Sequence, residues 1–142
     1  MSDEANVRIV ANAYSSFKAG DIEGVLKVLT DDVEWITPGP PDLMATAGKR
    51  RGRQQVTEFF STLDKQETIE LFEPHEYIAQ GDKVVALIKY RGKVKATGKT
   101  VEADLLHLFT FVNGKVKSFQ EYYDTAATLD AYRASASRGS GA

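Results

Sequence analysis

Two side chains in this sequence have the chemistry to exchange a proton near neutral pH inside an apolar neighbourhood. They are His107, in Leu105-Leu106-His107-Leu108-Phe109, and Glu121, in Phe119-Gln120-Glu121-Tyr122-Tyr123. Imidazole titrates near neutrality without help, and a carboxylate beside it shifts the proton affinity of both groups. Such a pair can divide acid and base roles on a carbonyl, enol or epoxide-like group with no cofactor. Side chains alternate along a strand, so His107 projects with Leu105 and Phe109, and Glu121 with Phe119 and Tyr123. The bland alternatives are a satisfied core histidine and a solvent-facing glutamate. The turn at Asn113-Gly114 decides between them. A two-residue type I′ hairpin puts His107 and Glu121 on opposite faces, whereas a three-residue loop with Gly114 as a bulge puts them on one. The second register is expected, with His107 facing Phe119 and Glu121 a diagonal neighbour at roughly 7 to 8 Å between backbone positions.

Other residues suit the lining of such a site. Trp35, Phe59, Phe109, Phe119 and Tyr123 make an aromatic wall fit for a planar or terpenoid ligand, although core packing explains many aromatics equally well. Tyr14 and Tyr123 bring hydroxyls that need partners if buried. Asp124 reads as a helix N-cap, because Thr125-Ala126-Ala127 follows it directly. Lys49, Arg50, Arg51 and Arg53 form a basic turn that either meets an anionic substrate or is simply solvated. His75 and His107 have no metal-ligand spacing, and no glycine-rich loop follows a strand, so neither a metal nor a nucleotide cofactor is expected.

Those residues need one small scaffold. The chain has 142 residues, 42% hydrophobic and 27% charged, enough for one core. Residues 1–134 are expected to form one domain, and the Ser- and Gly-rich residues 135–142 a flexible tail. A formal charge of -2 gives no basic excess for nucleic acid. Without cysteine there is no disulfide, thiolate nucleophile or Cys-based zinc site. The start, Met1-Ser2-Asp3-Glu4, is acidic where a secretory signal is basic, and no apolar run approaches a bilayer span. The expectation is a cytoplasmic protein that binds neither nucleic acid nor membrane.

The pattern predicts a helix from Asp3 to Lys18 with Val7, Val10, Ala11, Tyr14 and Phe17 on one face. A second helix, capped by Asp21, carries Ile22, Val25, Leu26 and Leu29. Val33 to Ile36 reads as a short strand, followed by a Pro-rich loop, and Val56, Phe59, Phe60 and Leu63 mark a third helix. Short strands follow over Thr68 to Phe72, Glu76 to Ala79, Val84 to Arg91, Val101 to Val112 and Lys115 to Tyr123, and then a final helical turn or two. Helices first and an antiparallel meander second give an α+β fold, with N-terminal helices packed in the concave side of a strongly curved, mainly antiparallel sheet. That arrangement is a cone whose floor suits a small molecule.

The runs Ala19-Gly20-Asp21-Ile22-Glu23-Gly24, Leu29-Thr30-Asp31-Asp32-Val33-Glu34-Trp35, Phe109 to Val116 and Phe119 to Asp124 resemble the SnoaL-like, ketosteroid-isomerase-related branch of the nuclear transport factor 2-like superfamily. The resemblance spans nearly the whole chain and implies the fold more sharply than a reaction, because this superfamily holds isomerases, polyketide cyclases, epoxide hydrolases, dehydratases and simple binders. It implies a homodimer through the convex sheet face. It places His107 where the steroid isomerases carry an oxyanion-stabilising aspartic acid, and Glu121 at the last-strand aspartate of limonene-type epoxide hydrolases. Their other partners do not match. Thr37 stands in place of the isomerase base, Ala13 in place of the oxyanion tyrosine with Tyr14 one residue off, and Lys89 and Arg91 come without the hydrolase carboxylate.

Three functions follow from these expectations. One is a SnoaL-like protein that binds a small, largely apolar or oxygenated molecule, with Glu121 as base and His107 as acid or polariser. Another is the same pocket without chemistry. In the third the exposed sheet face recruits a protein partner.

Overall fold

The computed structural model describes residues 2–133, so the tail expected at 135–142 lies outside the described residues. Helix α1, Asp3–Lys18, starts at Ser2, whose side chain accepts from the Ala5 N–H, and buries Asn6, Val10, Ala13 and Tyr14. Gly20 turns the chain in the left-handed region (φ 79°), and Asp21 caps the short helix α2, Ile22–Leu26, through the Gly24 N–H. The second helix is shorter than the apolar spacing predicts, because Leu29 already belongs to strand β1, Leu29–Thr37.

The basic run is not a turn. Gly48–Arg51 forms strand β2, antiparallel to β1, and Gly52, in the left-handed region, opens helix α3, Gly52–Gln66. Lys49 and Arg51 point outward to Glu34, while Arg50 turns inward and lies 5.2 Å over the Phe59 ring. Strand β3, Glu67–Gln80, is continuous where the sequence suggested two strands. Pro74 is tolerated within it because β3 is an edge strand, and register shifts flank Leu71 and Glu76. Strands β4, Lys83–Val94, β5, Thr100–Val112, and β6, Lys115–Tyr122, complete a sheet in the order β2-β1-β6-β5-β4-β3. Helix α4, Thr125–Tyr132, follows, with Asp124 accepting from the Ala127 N–H.

This is an α+β fold with a six-stranded, mostly antiparallel sheet. It departs from a pure meander in one place: β1 pairs parallel with β6, which sets the N-terminal half beside the last strand. The main core joins Val10 and Tyr14 of α1, Val56 and Phe59 of α3, and inward residues such as Val84, Ile88, Phe109 and Phe119. A smaller cluster packs Ala131 and Tyr132 of α4 with Met44, Val94 and Val101. Among the described residues no helix is long and apolar enough to cross a membrane.

Candidate functional site

The β5–β6 hairpin closes through a two-residue turn, with Asn113 (φ 49°) and Gly114 (φ 78°) both left-handed and Val112 paired with Lys115. Continued evenly, that register would separate His107 and Glu121 onto opposite faces. It does not continue evenly. Phe111 pairs with Val116 and Thr110 with Ser118, so Lys117 is one extra residue in β6. The expected three-residue loop is therefore incorrect, as is the pairing of His107 with Phe119. Past the bulge Phe109 pairs with Phe119, and His107 lies directly opposite Glu121.

The His107 ring is buried and has partners on both nitrogens. Nε2 is 2.7 Å from Glu121 Oε2, and Nδ1 is 2.7 Å from the Tyr14 hydroxyl. Tyr14 thus reaches the site from α1, although it stands one residue from the position of the oxyanion tyrosine that the resemblance implies. Burial first, then the charges of Tyr77 and Glu121, hold the Tyr14 phenol well above its ordinary pKa, so it stays neutral. The tautomer of His107 sets what Tyr14 offers. With the proton on Nε2, directed at Glu121, Nδ1 accepts from the phenol. With a proton on Nδ1 as well, the ring donates to Glu121 and to the phenol oxygen, and the hydroxyl is free to donate elsewhere.

The three groups face a cavity of about 110 Å³, against the roughly 10–15 Å³ that one water needs. The hollow is not plugged by side chains. Trp35, Thr37, Phe59, Leu105, Phe109, Phe119 and Tyr123 all line it. Trp35 stacks on Phe119 with ring centroids 3.9 Å apart and planes 20° from parallel. Ile36 pairs with Gln120, so Thr37 comes next to Glu121 on the concave side. The Trp35 Nε1 and Thr37 Oγ1 atoms are buried without a hydrogen-bond partner among the described residues. Tyr123 donates to the Pro38 carbonyl at 3.3 Å.

Sequence reasoning missed a second polar cluster. Glu67, at the α3–β3 junction, is buried and lines the same cavity. The Tyr90 hydroxyl donates to its Oε1 and the Tyr132 hydroxyl to its Oε2. Burial, followed for Tyr90 by the Glu67 charge and hydrogen bond, raises the pKa of both phenols. The alternation of β4 held the available signal: Lys89 and Arg91 drew attention as cations, but they face outward to Asp104, Glu70 and Glu102, and Tyr90 between them faces in. Among the described residues no three His, Cys, Asp or Glu side chains converge to hold a metal.

Comparison with known proteins agrees with this architecture. The family model of the SnoaL-like domain matches residues 10–119. An NTF2-like protein from Burkholderia xenovorans is 34% identical, covers 94% of this chain and 99% of its own, and superposes with a TM-score of 0.85. TerC, co-crystallized with polyporic acid, is 26% identical over 90% of this chain and 98% of its own, with a TM-score of 0.78. An uncharacterized protein of Mycobacterium tuberculosis is 27% identical over 133 residues, 90% of this chain and 96% of the relative.

Proposed function

Because the chain belongs to the SnoaL-like domain family, we propose that it binds a small, largely apolar, oxygenated molecule in its cavity and moves a proton on it without a cofactor. The observation that carries this reading is the unbroken chain from Tyr14 through His107 to Glu121, two contacts of 2.7 Å against an aromatic cavity. Glu121 is the base. His107 holds one of its oxygens, leaving the other to take a proton from a carbon beside a carbonyl. His107 acts as acid or polariser through Tyr14: with Nε2–H on Glu121 and Nδ1–H on the phenol oxygen, the doubly protonated ring leaves the neutral hydroxyl to meet the substrate oxygen as charge develops there. The co-crystallization of TerC with polyporic acid supports a pocket for organic ligands in this fold.

The test is proton exchange. An enolizable aromatic ketone, 2-tetralone, is incubated with the protein in deuterium oxide, and loss of its α-proton signals is followed by NMR. The wild type is expected to accelerate exchange, and Glu121→Gln and His107→Ala to lose that acceleration. Equal rates in all three proteins remove the pair from the mechanism.

A second reading, binding without chemistry, draws on the occupation of both His107 nitrogens by protein groups. It expects the ligand to be recovered unchanged, with Glu121→Gln altering affinity alone. In either reading we place a second copy of the chain on the convex face, where Leu106 and Tyr122 pair across β5 and β6 and stand 37% and 45% exposed.

A further inference from the structure

The proton-transfer reading leaves one cavity carboxylate without a task. Glu67 is buried, and each of its oxygens accepts one tyrosine hydroxyl, from Tyr90 and from Tyr132. Each carboxylate oxygen keeps further acceptor capacity. A buried carboxylate is costly unless donors or cations surround it, and among the described residues no lysine or arginine lines the cavity. Arg50, over the Phe59 ring, directs its donors to the carbonyls of Thr46 and Ala45.

The fold also reserves space for this cluster. Gly92 has no left-handed backbone to explain it, yet a Cβ there would come 2.5 Å from the Tyr90 hydroxyl and 2.8 Å from Glu67 Oε1. The cavity is polar at a second place, around His107 and Glu121, where the neighbouring Thr37 Oγ1 is buried without a partner among the described residues. Tyr90 pairs with Ala103, and Ala103 is four residues from His107 along β5, a backbone separation of about 13 Å. The two polar places therefore stand at different positions along one apolar hollow.

We infer that Glu67 is a ligand-binding residue whose carboxylate accepts a hydrogen bond from a hydroxyl or ammonium group of the ligand, away from the His107–Glu121 end where its carbonyl sits. The inference rests on the pocket reading above and assigns the second end of the same site. It makes the preferred ligand an oxygenated molecule with a donor group, and it disfavours one that presents a carboxylate at Glu67.

Calorimetry with four probes of one skeleton tests it: 2-naphthol, 2-naphthylmethylammonium, 2-methoxynaphthalene and 2-naphthoate. The naphthol or the ammonium probe is expected to bind roughly tenfold more tightly than the methoxy probe and the carboxylate, and whichever of the two binds better identifies the donor. Glu67→Gln should reduce that preference to within a few fold, while Glu121→Gln should preserve it. Equal affinities in the wild type overturn the assignment and leave the pocket reading standing. A preference erased by Glu121→Gln but not by Glu67→Gln also overturns it. Failure of every probe, the methoxy compound included, overturns both, and where Glu67→Gln does not fold the wild type and Glu121→Gln together decide, since a preference lost in Glu121→Gln belongs to that carboxylate.

Discussion

His107 and Glu121 face each other across β5 and β6, Nε2 to Oε2 at 2.7 Å, because Lys117 adds one residue to β6. A strand's side chains have a period of two, so this single exposed lysine decides which face Phe119 and Glu121 occupy. Deleting Lys117 should turn Phe119 away from Trp35 and remove the stack between them. The loss, on the order of 3–5 kcal/mol for a buried Phe, should appear as a collapse of the denaturation midpoint. Retention of the wild-type midpoint and of the fluorescence of Trp35, the sole tryptophan, would count against the register argument.

Tyr14→Phe should leave His107 Nδ1 buried without its partner. The expected cost is about 1–3 kcal/mol of stability, measured by urea unfolding, with ketone exchange slowed as well. Phe at 14 keeps the ring packing against Phe72 and Phe109, so the change isolates the hydroxyl.

The protein should lose stability at alkaline pH. Tyr14, Tyr90, Tyr123 and Tyr132 all have pKa values raised in the folded state, chiefly by burial. Above pH 10 the unfolded chain gives up these protons while the folded chain keeps them, so the unfolded state binds fewer protons and stability falls as pH rises. Below pH 10 this contribution is fully present. Tyrosinate absorbance at 295 nm should therefore appear for these residues only together with unfolding, and a titration well ahead of unfolding would contradict the burial argument.

Gly92→Ala should destabilise by about 1–3 kcal/mol, because its methyl group meets the Tyr90 hydroxyl and Glu67. Tyr90→Phe removes the closest atom, so the double variant should recover part of the loss. Additive costs in the double-mutant cycle would show that the two positions do not interact.

The dimer proposed through the convex face should give way to monomer in sedimentation on Leu106→Lys, with ketone exchange per chain unchanged. Leu106 faces away from the cavity, between inward Leu105 and His107.

Much of the architecture is written in periodicity. Alternation places Phe109 and Phe119 inward, the three-and-four spacing of Val10 and Tyr14 marks α1, and Asp124 announces the last helix through its capping chemistry. What stayed hidden depends on partners distant in sequence. The bulge at Lys117 has no turn residue to advertise it, and Glu67 gains meaning only when Tyr90 and Tyr132 arrive from β4 and α4. Gly48–Arg51 reads as a solvated turn because three of its four residues are cationic, although pairing with β1 makes it a strand. Pro74 splits β3 in the sequence and not in space, since an edge position removes the hydrogen-bond conflict.

The parallel pairing of β1 with β6 has a kinetic side. Leu29 and Trp35 wait for Val116 and Phe119, so a nascent chain emerging from the ribosome cannot close its sheet until β6 has been synthesised. Loop closure over such a span is slow, and until it happens the aromatic surface that later lines the cavity is open to water and to neighbouring chains. Chaperone dependence and yield during expression should therefore respond most to substitutions in β6, the strand whose arrival joins the two halves of the sheet.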